Sequence, residues 1–186
     1  MQVNLDESLL PNSTAVRYGG FWARFGALIV DGLVLAPVTF GVTYFNIISW
    51  KSTPLMVIVA LLQIAYKPWM EATYGATLGK MVVRLQVVDL SFGKADLKAV
   101  LLRNIFNIIP TLITLIFSIQ MYADPEFQDI TGYMEFATFS QQYSSNQFAS
   151  MLTFLLALID AIMLATDEQK RSLHDRIGGT YVIEKP

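Results

Sequence analysis

Apolar residues fall into four long runs, at about 25–48, 54–70, 101–121 and 148–166, separated by stretches where charges and turn-formers gather. Each run comes close to the 17–25 residues that a helix needs to cross the hydrocarbon core of a bilayer. The pattern predicts an all-α membrane protein with four transmembrane helices. Between the second and third runs the periodicity changes. Lys80-Met-Val-Val-Arg-Leu-Gln-Val-Val-Asp89 is dominated by β-branched residues and runs into Leu-Ser-Phe-Gly-Lys, which reads as a strand entering a small β-hairpin. The tail segment Gly179-Thr-Tyr-Val-Ile-Glu184 is a second strand candidate; pairing it with the first would pin the C-terminus beneath the bundle. Asp96 is placed to cap the lead-in to the third helix.

Charge orients these elements. Arg17 and Arg24 precede the first helix, Lys80, Arg84, Lys94, Lys98 and Arg103 fill the link between the second and third, and Lys170, Arg171, Arg176 and Lys185 follow the fourth. The other links hold only Lys51 and a stretch at about 122–147 with Asp124, Glu126, Asp129 and Glu135 but no basic residue. Basic residues concentrate on the cytoplasmic side, so both termini and the hairpin are expected there. Trp22, Trp50 and Trp69 stand at span ends, as an interfacial aromatic belt requires. Residues 1–19 are polar, with Asp6 and Glu7, and read as a cytoplasmic tail rather than a cleaved leader.

Composition removes several function classes. The chain is 54% hydrophobic and 15% charged, with a mean hydropathy of +0.47, outside the soluble range. A net charge of -2 offers no basic field to nucleic acid. Without cysteine there is neither disulfide nor thiol chemistry. Gly75-Ala-Thr-Leu-Gly79-Lys80 is one residue short of a phosphate loop, and Met81 stands where a magnesium-binding hydroxyl would be, so it reads as a turn. His174 is the only histidine, which argues against zinc, and its segment Leu173-His-Asp-Arg-Ile-Gly-Gly-Thr180 reads as a structural tie. No nucleophile–base pair stands out, so no enzyme, metal or cofactor is expected.

The candidate chemistry is intramembrane. Asp31 interrupts the first apolar run and Asp160 the fourth; a charge at bilayer depth costs about 2.5 kcal/mol or more and needs a reason. At about 1.5 Å per residue, Asp31, Gln63, Asn107 and Asp160 each lie roughly 9–11 Å from the inner end of their helix. One layer is therefore expected to hold two carboxylates and two amides. With Thr111, on the same helix face as Asn107, this is an oxygen-rich set suited to a proton or a hard cation. The competing reading is structural: Asp31 and Asp160 pair with Arg24, Arg103 or Arg171 and lock the bundle.

Three stretches together resemble the RDD family of bacterial integral membrane proteins: Gly20-Phe-Trp-Ala-Arg-Phe-Gly-Ala-Leu-Ile-Val-Asp31, Gly75-Ala-Thr-Leu-Gly-Lys-Met-Val-Val-Arg-Leu-Gln-Val-Val-Asp89 and Leu173-His-Asp-Arg-Ile-Gly-Gly-Thr-Tyr-Val182. The resemblance implies an RDD-like membrane domain over 20–183. The family's eponymous arginine matches Arg24 and its first aspartate Asp31; for the second, Asp175 is preferred over Asp160. It further implies a multi-pass protein of the bacterial inner membrane, with transport, and cation/proton exchange in particular, as the role suggested for the family. Four helices make a thin wall for alternating access, so a homo-oligomer or a larger complex is expected. The 122–147 segment is the expected partner surface, and an accessory or scaffold subunit is the alternative to transport.

Overall fold

The computed structural model describes residues 16–143 and 145–185, with side chains throughout except at 145–149. Helix α1 (Phe21–Phe45) continues as a π-helical turn, Asn46–Trp50, which ends at Lys51 with φ +48°. Asn46 fixes that turn. Its Nδ2 donates to Ser52 O at 3.0 Å and to the Tyr122 hydroxyl at 3.2 Å, while its Oδ1 accepts from Ser52 N at 2.8 Å. Ser52 then caps α2 (Thr53–Tyr74), which ends at Gly75 in the left-handed conformation that favours glycine (φ +73°).

Short helix α3 (Leu78–Val82) and strand β1 (Leu85–Asp89) follow, and then α4 (Leu97–Tyr122), whose N-terminus is capped by Asp96 accepting from Ala99 N at 2.7 Å. Helices α5 (Pro125–Asp129) and α6 (Tyr133–Ser140), the long α7 (Ser145–Thr166), α8 (Leu173–Gly178) and β2 (Thr180–Glu184) complete the order. Among the described residues three helical stretches, Phe21–Trp50, Thr53–Tyr74 and Leu97–Tyr122, are long and apolar enough to cross a membrane; the apolar part of α7 covers Ser150–Thr166. Their outward apolar residues, such as Leu33, Val38, Leu62 and Phe154, are exposed in the isolated chain, as lipid-facing positions would be.

Helix α4 is the hub, packing against α2, α7 and α8, whereas α1 leans chiefly on α3. The tail does return to the link. Strands β1 and β2 pair antiparallel from Leu85↔Glu184 to Asp89↔Thr180, and Gly19 N donates to Val182 O at 2.9 Å on the far edge of β2. Leu85, Val87 and Val182 bury their side chains with Ala27, Ala95 and Val100.

Two expectations need correction. Residues 78–82 are helical rather than the start of a strand, because the Thr77 hydroxyl accepts from Lys80 N and caps them; Arg84, at φ +57°, then breaks the chain into β1. The hairpin is also smaller than its sequence implied: beyond β1 only the single bridge Val88↔Lys94 forms. Asp89 closes that turn, its Oδ1 accepting from the Ser91 hydroxyl, Gly93 N and Ser91 N, and these bonds hold its carboxyl below the usual range. The acidic 122–147 stretch, in turn, has a core of its own. Phe127, Ile130 and Phe139 bury against Ile47, Met121 and Tyr122. Lys51 fastens it, donating to the carbonyls of Phe127 (3.1 Å), Ile130 (2.7 Å) and Gln128.

Candidate functional site

Ser172 stands at the N-cap of α8, and the helix's third residue, Asp175, is wholly buried. Arg24 Nη1 donates to Asp175 Oδ2 at 2.5 Å, and Arg103 Nη2 lies 2.9 Å from Asp175 Oδ1. Arg103 Nε stands 3.4 Å from Glu71 Oε2, which also accepts from Asn104 Nδ2 at 3.1 Å, and Lys80 Nζ donates to Glu71 Oε1 at 2.5 Å. The result is a buried chain of alternating charge, Arg24–Asp175–Arg103–Glu71–Lys80, that joins α1, α8, α4, α2 and α3. Burial pushes the Asp175 carboxyl up, but the guanidiniums of Arg103 and Arg24, with His174 beside them, more than reverse this and hold it well below the carboxylate range. Burial pulls the Lys80 ammonium down to about 8 against the opposing pull of Glu71. Gly178 makes the close approach possible: a Cβ there would fall 2.7 Å from Arg103 Cβ and 2.8 Å from Ala99 O.

Asp31 touches none of the arginines. Its Oδ1 accepts from Gly79 N at 2.7 Å and from the Tyr66 hydroxyl at 2.8 Å, and its Oδ2 accepts from the Thr77 hydroxyl at 2.7 Å. The carboxylate thus ties α3 and α2 to α1. The segment fits there because Gly79 has no side chain; a Cβ would lie 1.9 Å from Ala27 O. The arginine pairing considered for Asp31 and Asp160 is corrected on this point: both guanidiniums nearest the cavity are taken by Asp175, and Asp160 bonds to His174 instead. Asp160 Oδ1 lies 2.7 Å from His174 Nδ1 and accepts from His174 N at 3.2 Å. The other ring nitrogen, Nε2, is 3.6 Å from Asp175 Oδ1. Histidine is thereby placed between two carboxylates.

A cavity of about 320 Å³ lies between α1, α2, α4 and α7, and Asp31, Asn107, Asp160, Lys67, Glu71 and Arg103 are among the residues lining it. Three of the four residues expected to form one layer do share it: Asp31, Asn107 and Asp160. Gln63 is exposed and does not line it. Thr111 is also outside, its hydroxyl donating to the carbonyl of Asn107 at 2.7 Å within its own helix. Glu71, Tyr66, Thr77 and His174 were not among the expected ligands. Glu71 had a signal, its i, i+4, i+8 relation to Gln63 and Lys67; Tyr66 and Thr77 had none, because they reach Asp31 only through the tertiary fold.

Long apolar helices around a buried charged cluster, tied off by a two-stranded sheet, define a mostly helical protein of the membrane type. More particularly, the chain belongs to the RDD family, whose family model matches residues 18–179. That match spans Arg24, Asp31, Asp160 and Asp175 alike. Comparison with characterised proteins and with solved structures gives no match.

Proposed function

We propose that this protein moves or senses protons, as a small multi-pass protein of the bacterial inner membrane, and that the Asp160–His174 pair at the rim of the cavity is the exchanging group. The observation that carries the reading is the 2.7 Å contact between a cavity-lining aspartate on α7 and a histidine flanked on its other side by Asp175. Histidine is the side chain that commonly changes charge between about pH 5 and 8. A proton taken up here meets two carboxylates, while the nearby cations Arg24, Lys67, Lys80 and Arg103 oppose it from α1, α2, α3 and α4. Those same cations weigh against a bare metal ion as the primary occupant; sodium or potassium would enter as the exchanged partner. In this reading α7 is the fourth span, both termini are cytoplasmic, the chain acts without enzymatic chemistry, and copies associate to give the wall that four helices lack. Asp31, with three donors already on it, holds the cavity's shape.

The test is proton flux in vesicles with an imposed pH gradient. Reconstituted protein is expected to dissipate the gradient when sodium or potassium is added, and Asp160→Asn is expected to lower that rate by roughly a hundredfold or more, within the range general acid–base groups contribute. A cation-independent gradient in correctly oriented vesicles, or full flux in Asp160→Asn, overturns it. The accessory-subunit alternative rests on the ordered α5–α6 cap, whose Tyr133 and Met134 are exposed. Capture of a stoichiometric partner that is lost on deleting 122–147, with Asp160→Asn harmless, would favour it.

A further inference from the structure

A second depression lies outside the bundle, where α2 leaves its apolar stretch. Tyr74, Ala76, Met81, Arg84, Leu85 and Lys185 line it. The backbone N–H of Lys185 donates to Arg84 O at 2.7 Å, which sets two cationic residues side by side on its wall. Both are exposed, and neither has an ion-pair partner among the described residues; Glu184, beside Lys185, faces Arg17 at 3.4 Å. No acid lines the groove. Met81 of α3 lines it, and Leu78 and Val82 of the same short helix are exposed as well, Val82 at 67%. Trp69 and Tyr74 meet edge to face there, 5.9 Å between ring centres.

Since α2 is long and apolar enough to span, its C-terminal Trp69 and Tyr74 are residues of the type that sit at a water–lipid boundary, and α3 follows directly with Leu78, Met81 and Val82 exposed. We propose that this groove binds the phosphate of an anionic phospholipid from the leaflet that holds the C-terminal end of α2. The Arg84 guanidinium offers a planar fork to the phosphate and Lys185 a second positive charge. Met81 and Val82 cover the glycerol and first acyl carbons, which a free phosphate would leave bare. Basic side chains at an anionic membrane surface each contribute about fivefold in binding. Two of them give a preference of roughly tenfold after partial screening.

The experiment uses the full chain with Trp22→Phe and Trp50→Phe, so that Trp69 is the remaining indole, reconstituted in phosphatidylcholine bilayers. Brominated phosphatidylglycerol is expected to quench Trp69 at roughly one-tenth the mole fraction that brominated phosphatidylcholine requires. Combined Arg84→Gln and Lys185→Gln should erase that preference, and excess inorganic phosphate should leave it intact. The charge-preserving pair Arg84→Lys and Lys185→Arg should retain it, which separates lost charge from lost fold. Equal quenching by the two lipids, or undiminished preference in the glutamine variant, overturns the proposal. Displacement by inorganic phosphate also overturns it, by assigning the groove to a free anion.

Discussion

Asp31 shows how a single carboxylate is made tolerable inside an apolar helix. With three donors on two oxygens, its charge is spread into α2 and α3, and the structural cost of removing it should exceed its effect on flux. Asp31→Asn turns one acceptor into a donor facing a donor, so a loss of about 1–3 kcal/mol is expected for the group left unsatisfied, read as a lower unfolding midpoint in detergent. Asp175 makes a pH prediction. Its carboxyl is held well below the ordinary value of about 3.9 by Arg103 and Arg24 against the opposing effect of burial. The folded chain therefore binds fewer protons there than the unfolded chain. Its contribution is complete above about pH 5 and is lost as pH falls through the unfolded and then the folded value. Asp175→Asn should flatten the acid limb of a stability–pH curve and cost about 3–5 kcal/mol at neutral pH, because two guanidiniums lose their shared partner.

Among the elements, the long helices were legible in the sequence because a bilayer asks for length and apolarity, and both are local properties. So was the return of the tail, since alternating residues in 85–89 and 180–184 advertise strands with one buried face. The segment between was not. Lys80-Met-Val-Val has strand composition, yet Thr77 below it and Asp31, 48 residues away from Gly79, select a helical turn. The cavity followed the same division: helix depth brought Asp31, Asn107 and Asp160 together, while Gln63 turned aside because depth says nothing about rotation around the axis, and Thr111, one turn beyond Asn107 on the same face, lies outside. Helix α8 depends on a close approach that can be tested directly. Gly178→Ala would set its methyl 2.7 Å from Arg103 Cβ, and should cost about 1–3 kcal/mol as overpacking, measured by the same unfolding transition. Loss of that order with Gly20→Ala, which has open space around it, would deny the steric explanation.

At the scale of the whole molecule, the two ends of the bundle are fastened by different physics. One end is tied by buried charge through Asp175 and Glu71. The other is tied by aromatic packing, with Lys51 donating to three carbonyls around α5. Lys51→Met should therefore loosen the 122–147 cap, raising amide exchange there while leaving the β1–β2 sheet protected; uniform exchange across both would contradict this separation. The charged end has a consequence for how the chain is made. Arg24 and Asp175 are 151 residues apart, and Arg103 also waits for Asp175. During synthesis, α1 and α4 are thus made before the Asp175 carboxylate that Arg24 and Arg103 share, and until then Arg103 has Glu71 alone. Only when the ribosome has delivered the segment after α7 can the charge chain close. A chain stopped before Ser172 leaves Arg24 without its carboxylate and Arg103 with Glu71 alone.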